Sequence, residues 1–122
     1  MLDGYRILVV EDEFLLAEDM RYELEDAGAI VLGPEPSVAL GLARIAAEPR
    51  IDAAVLDVNL GGERVFPIAD ALAAKQVPFI FVSGYEDMVV RDRYPNVTKC
   101  DKPINTRRVV EALDRLIASG RA

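Results

Sequence analysis

The sequence predicts a doubly wound α/β sandwich, a parallel sheet of five strands with helices on both faces. Three observations carry this. Short apolar runs alternate five times with stretches of helical periodicity. The first, third and fourth runs are apolar throughout rather than every second residue, as in strands buried on both faces. Four of the five end in a residue with usable chemistry, and open α/β sheets hold their ligands at that carboxyl edge.

Arg6 leads into Ile7-Leu8-Val9-Val10, a β-branched run that ends in Glu11, Asp12 and Glu13. From Phe14 the period changes: Phe14, Ala17, Met20, Leu24 and Ala27 form an apolar face, and Gly28 can close the helix. Ile30-Val31-Leu32 makes a second strand ended by Gly33-Pro34. Ser37 then caps a helix over Val38 to Ala47, with Leu40, Ala43 and Ala47 as its stripe. The third strand, Ala53 to Leu56, stops at Asp57 and is followed by Asn59 and the pair Gly61-Gly62. Pro67, suited to a first helical turn, opens a helix running through Ile68 to Lys75. Phe79 to Val82 is the fourth strand and ends at Ser83. A fourth helix lies within Glu86 to Tyr94, cut short by Pro95. Val97 to Cys100 is the fifth strand, leading to Asp101-Lys102-Pro103. Asn105 or Thr106 caps the last helix, with Val109, Val110, Leu113, Leu116 and Ile117 on one face and Gly120 beyond it. Right-handed crossovers make this a flavodoxin-like (βα)5 three-layer sandwich of strand order 2-1-3-4-5. Its switch point lies between strands one and three, so the acids after strand one meet Asp57.

At 122 residues the chain is expected to be one domain, residues 1–122, with no output domain after the fifth helix. Twenty-one acidic against 14 basic residues give a net charge of -7, which argues against a nucleic-acid partner. There is no histidine and a single cysteine, Cys100, so zinc sites, histidine catalysis and an internal disulfide are all excluded. A reducing, cytoplasmic setting fits. No segment approaches the roughly 20 apolar residues of a membrane span, and the amino terminus lacks a signal-peptide core.

Glu11, Asp12 and Asp57 would crowd three carboxylates at one edge. Such a cluster asks for a cation, and a hard divalent ion with oxygen ligands and retained waters, Mg2+, suits it. Asp57 can then attack phosphorus in line, while Mg2+, the Lys102 ammonium and the Ser83 hydroxyl take up charge on the phosphoryl oxygens. The product is an aspartyl phosphate. Gly61-Gly62 is too short to cradle a nucleotide phosphate, and no G-x-x-x-x-G-K-[ST] occurs.

Through Glu11-Asp12, Asp57, Ser83 and Lys102-Pro103, in that order and near the usual spacings, the chain resembles the receiver domains of two-component response regulators from end to end. The resemblance implies that Asp12 and Asp57 bind Mg2+ directly with the main-chain carbonyl of Asn59, while Glu11 acts through water. It also implies a phosphohistidine donor on a sensor histidine kinase, and self-modification rather than enzymatic turnover. Phe81-Val82-Ser83-Gly84-Tyr85 and D-V-N-L-G-G-E at Asp57 to Glu63 further resemble the short receivers named for a Phe-Ala-Thr-Gly-Tyr motif, which work with kinases of the HWE or related types. Here Val and Ser replace Ala and Thr, and serine keeps the hydroxyl. Receivers commonly hold an aromatic switch residue where this chain has Lys99, so Tyr85 becomes the candidate reporter of phosphorylation. Output is expected through an unidentified downstream protein, and the face made by helix four, strand five and helix five is a candidate homodimer surface. Two alternatives share parts of this pattern. A haloacid-dehalogenase-like phosphohydrolase would carry a second Asp where Asn59 stands, and a receiver-fold scaffold without phosphorylation would have lost an acid, the hydroxyl or the lysine.

Overall fold

The computed structural model describes residues 1–84, 88–102 and 104–120. Tyr85 and Pro103 lie outside them. Strands β1 (Arg6–Val10), β2 (Ile30–Glu35), β3 (Ala53–Asp57), β6 (Phe79–Ser83) and β7 (Lys99–Asp101) form a parallel sheet of order β2-β1-β3-β6-β7. This is the expected 2-1-3-4-5 order. A two-stranded antiparallel ribbon of β4 (Asn59–Leu60) and β5 (Glu63–Arg64) stands beside it. Helices α1 (Phe14–Asp26), α2 (Val38–Ala47), α3 (Phe66–Ala74), α4 (Met88–Arg93) and α5 (Thr106–Gly120) complete the described fold.

Successive strand residues point to opposite faces, so each apolar run feeds two cores. Leu8, Val10, Ala54, Leu56, Phe79 and Phe81 meet Ile45 of α2, Ile68 and Leu72 of α3 and Val90 of α4. On the other face, Ile7, Val9, Val55, Ile80 and Val82 meet Met20 and Leu24 of α1 and Val109, Leu113 and Ile117 of α5. All five residues of β3 and of β6 are buried, which is why no polar residue interrupts them before their last positions.

Four local expectations are corrected. Phe14 is 74% exposed, and the buried face of α1 begins one turn later, at Ala17. In α2 the buried line is Gly41 and Ile45, while Leu40, Ala43 and Ala47 face solvent. Glycine sets that orientation: a methyl group on Gly41 would stand 2.5 Å from Ile68 Cδ1, so the absence of a side chain lets α2 press against α3. Strand β2 continues through Gly33-Pro34 to Glu35, with a register irregularity against β1 between Leu8 and Val10. Proline is tolerated because β2 is an edge strand. The fifth sheet strand runs Lys99–Asp101, shifted toward the carboxyl edge from the expected Val97 to Cys100. At α5 the sequence left two caps open, and Asn105 Oδ1 accepts from Arg107 N at 3.0 Å. Cys100 is half-buried against the α1–α5 core, and burial pushes its thiol pKa up.

Aromatic rings join α3 and α4 to the sheet. Tyr94 lies 5.5 Å from the Phe79 ring and 5.7 Å from Phe81, and its hydroxyl donates to Asp70 of α3. Arg93 adds an ion pair to the same carboxylate at 2.8 Å. Among the described residues no helix is long and apolar enough to cross a membrane.

Candidate functional site

Parallel strands of similar length end together, and here they end in acids, a hydroxyl and a lysine. Asp57 closes β3 and is 2% exposed. Its Oδ1 accepts from Asn59 N at 3.1 Å, and its Oδ2 accepts from Lys102 Nζ at 3.0 Å. Glu11, one residue past β1, is equally buried; its N–H donates to Glu35 O at 3.0 Å and its Oε2 accepts from Glu13 N at 3.1 Å. Ser83 ends β6 at 5% exposure, and its carbonyl accepts from Lys102 N at 2.7 Å, which ties the lysine's backbone to the end of the neighbouring strand.

Carboxylate oxygens of Glu11, Asp12 and Asp57 all lie within 4.8 Å of one another. Glu11 Oε1 is buried with no hydrogen-bond partner among the described residues. Burial first, and the adjoining Asp57 carboxyl second, push the Glu11 pKa up to about 8. Burial alone would pull Lys102 down, but the Asp57 carboxylate beside it, with Glu11 and Glu13, overcomes this and leaves the ammonium above its ordinary value. An orphaned buried oxygen, an acid driven toward neutrality and a third carboxylate open to solvent make a donor set suited to a hard cation, so these residues fit Mg2+.

Above the cluster is a cavity of about 150 Å³ lined by Asp12, Asp57, Asn59, Ser83 and Lys102, together with Arg64. The structure thus brings together Glu11, Asp12, Asp57, Asn59, Ser83 and Lys102, as the sequence predicts. Lys99 is not among the residues lining this cavity. It pairs with Asp101 Oδ1 at 3.4 Å and lines a groove between β7 and α5. The Tyr85 expectation falls outside the described residues.

Arg64 is the residue that sequence reasoning missed. It sits on β5, opposite Asn59, because Gly61 and Gly62 turn the chain at φ +57° and +95° in a two-residue hairpin. Gly-Gly between short extended segments is the available signal, since positive φ at both turn positions is the hairpin requirement. Buried Leu60 and Val65 pin the ribbon, and a methyl group on Gly61 would stand 3.4 Å from Asp12 Oδ2.

No protein-family model matches the chain, and no curated protein does. Among solved structures, it is similar to a response regulator receiver protein from Sinorhizobium medicae WSM419, at 22% identity over 97% of this chain and 98% of that one with a TM-score of 0.85. The fold is also shared by the receiver domain of sensor histidine kinase PA1611 from Pseudomonas aeruginosa PAO1, solved with a magnesium ion coordinated in its active-site cleft. That match has 20% identity over 94% of this chain and 98% of that one, with a TM-score of 0.79. SdrG from Sphingomonas melonis Fr1 matches at a TM-score of 0.80, and its BeF3-activated conformation, from Pseudomonas melonis Fr1, at 0.76. With 41% identity to SdrG across 96% of this chain and 99% of that one, the chain belongs to the response regulator receiver domains.

Proposed function

We infer that this protein accepts a phosphoryl group on Asp57 in a Mg2+-dependent reaction and signals through the change that follows. The observation that carries this is the Asp57 carboxylate, held on one oxygen by Lys102 at 3.0 Å and gathered with Glu11 and Asp12 within 4.8 Å under an open cavity. Asp12, Asp57 and the main-chain carbonyl of Asn59 would hold the ion, with Glu11 reaching it through water. When bound, Mg2+ supplies positive charge against the phosphoryl oxygens and keeps the acids ionised.

This chain's own residues do the rest. Asn59 N–H and Lys102 fix the plane of the Asp57 carboxylate, so that it meets phosphorus already oriented. Asp57 supplies the electron pair of the new P–O bond, and the donor's bond to phosphorus breaks with its electrons leaving on the donor. Lys102 and the Ser83 hydroxyl receive the transferred oxygens. The donor class is a phosphohistidine on a sensor histidine kinase of the HWE or related type. Output passes to another protein through the surface of α4, β7 and α5, where the groove that contains Lys99 lies.

Mg2+ and acetyl phosphate should add the mass of one phosphoryl group, labile to hydroxylamine, and Asp57→Asn or removal of Mg2+ should abolish the addition. A hydroxylamine-stable label, or one retained by Asp57→Asn, would overturn the reading.

A further inference from the structure

Arg64 borders the cavity over Asp57, yet nothing in the chemistry above employs it. Its position is built rather than incidental. The Gly61-Gly62 turn fixes the ribbon, the register sets Arg64 opposite Asn59, and Val65 N donates to Val58 O at 3.0 Å just beyond. Asn59 is the residue whose N–H holds Asp57 Oδ1, so Arg64 stands one strand-spacing from a group that touches the acceptor carboxylate. The Phe66 ring steadies the guanidinium, with Cζ 5.5 Å from the ring centroid.

Charge gives this position a purpose. Three carboxylates set against a divalent ion and Lys102 come close to neutrality. A phosphoryl group on Asp57 carries roughly −1.5 to −2 charge in place of the carboxylate's single one, leaving the site short of a cation. Arginine suits that vacancy better than a second lysine, since its planar fork meets two phosphoryl oxygens at once.

We propose that Arg64 is a phosphoryl-contacting residue, donating hydrogen bonds to the oxygens of the group on Asp57 and prolonging the phosphorylated state. The proposal rests on Asp57 being the acceptor. In the opposing hydrolysis, water oxygen bonds to phosphorus, the P–O bond to Asp57 breaks with its electrons on the carboxylate, and the water's proton leaves with the phosphate. An arginine in the cavity wall that grips the phosphoryl oxygens holds them in place and crowds the water's approach.

The test uses beryllofluoride, a non-covalent phosphoryl mimic, titrated with Mg2+ into the full chain and read by calorimetry. Mg2+ titrated alone and the melting temperature serve as companion readouts. Arg64→Ala should weaken beryllofluoride binding about tenfold, Arg64→Lys should recover part of the loss, and Mg2+ affinity and melting temperature should stay near wild type. Equal beryllofluoride affinity in Arg64→Ala would overturn the proposal while leaving the acceptor reading intact. A parallel loss of Mg2+ affinity and melting temperature would also overturn it, because Arg64 would then only be holding the ribbon. If the wild-type protein fails to bind beryllofluoride, or Asp57→Asn binds it equally well, the acceptor reading itself falls and the role of Arg64 goes with it.

Discussion

Lys102 Nζ stands 3.0 Å from Asp57 Oδ2 although 45 residues of chain separate the two. Strand order is what closes the gap. Strands β3, β6 and β7 lie side by side, and Lys102 follows β7 directly, its backbone tied to Ser83 of β6. The pair therefore reports whether the carboxyl edge is assembled.

Removing one partner of a mostly buried ion pair strands the other's charge. In metal-free protein, Lys102→Met should cost about 1–3 kcal/mol, less than a fully enclosed pair because the lysine keeps some contact with water. Adding Asp57→Asn should recover most of that loss. Urea denaturation of both single variants and the double variant checks it, and strictly additive effects would deny the coupling.

Glu11 makes metal-free stability depend on pH. Its folded-state pKa of about 8 lies above its ordinary 4.5, so the native chain keeps a proton that the unfolded chain releases. The stabilisation from this group is complete below about pH 4.5, declines as pH rises, and is gone above about pH 8. Urea midpoints measured in chelator should fall across this window for the wild type and fall less for Glu11→Gln. The same slope in both proteins would assign the effect to another group.

In the ribbon, the two turn glycines are not equivalent. Gly62 sits at φ +95° and Gly61 at +57°, the latter within reach of asparagine. Gly62→Ala should destabilise by about 1–2 kcal/mol and Gly61→Asn by less, measured by denaturant midpoint. Equal costs would place the turn in another geometry.

The Tyr94 hydroxyl links the residue just after α4 to Asp70 of α3. Tyr94→Phe, which keeps the ring against Phe79 and Phe81, should lose about 1 kcal/mol, and Tyr94→Ala distinctly more. Chemical denaturation separates the two contributions, and a neutral Tyr94→Phe would show that water replaces the bond.

Most of this architecture was legible because burial on both faces leaves the inner strands β1, β3 and β6 plain apolar runs, with polar chemistry gathered where they end. Asp57 and Ser83 are conspicuous for that reason. What escaped was set by small residues and by contacts distant in sequence. Gly41 contributes no hydropathy, yet it decides which side of α2 is buried. Phe14 has the right type and spacing, yet the buried face of α1 starts one turn later, at Ala17. Strand β2 outran its breaker because an edge strand needs hydrogen bonds on one side only. Arg64 is unremarkable in composition and acquires meaning only once the ribbon folds it back beside Asn59.

The outer margins of the sheet carry a last consequence. Strand β2 ends in a stretch holding Pro34, which has no N–H to offer, and β7 on the opposite side is three residues long. Neither rim offers a long, regular row of free amides to template a neighbouring molecule's backbone. Molecules of this protein crowded together should thus resist fibrous polymerisation, leaving the side-chain surfaces of its helices to govern whom it meets.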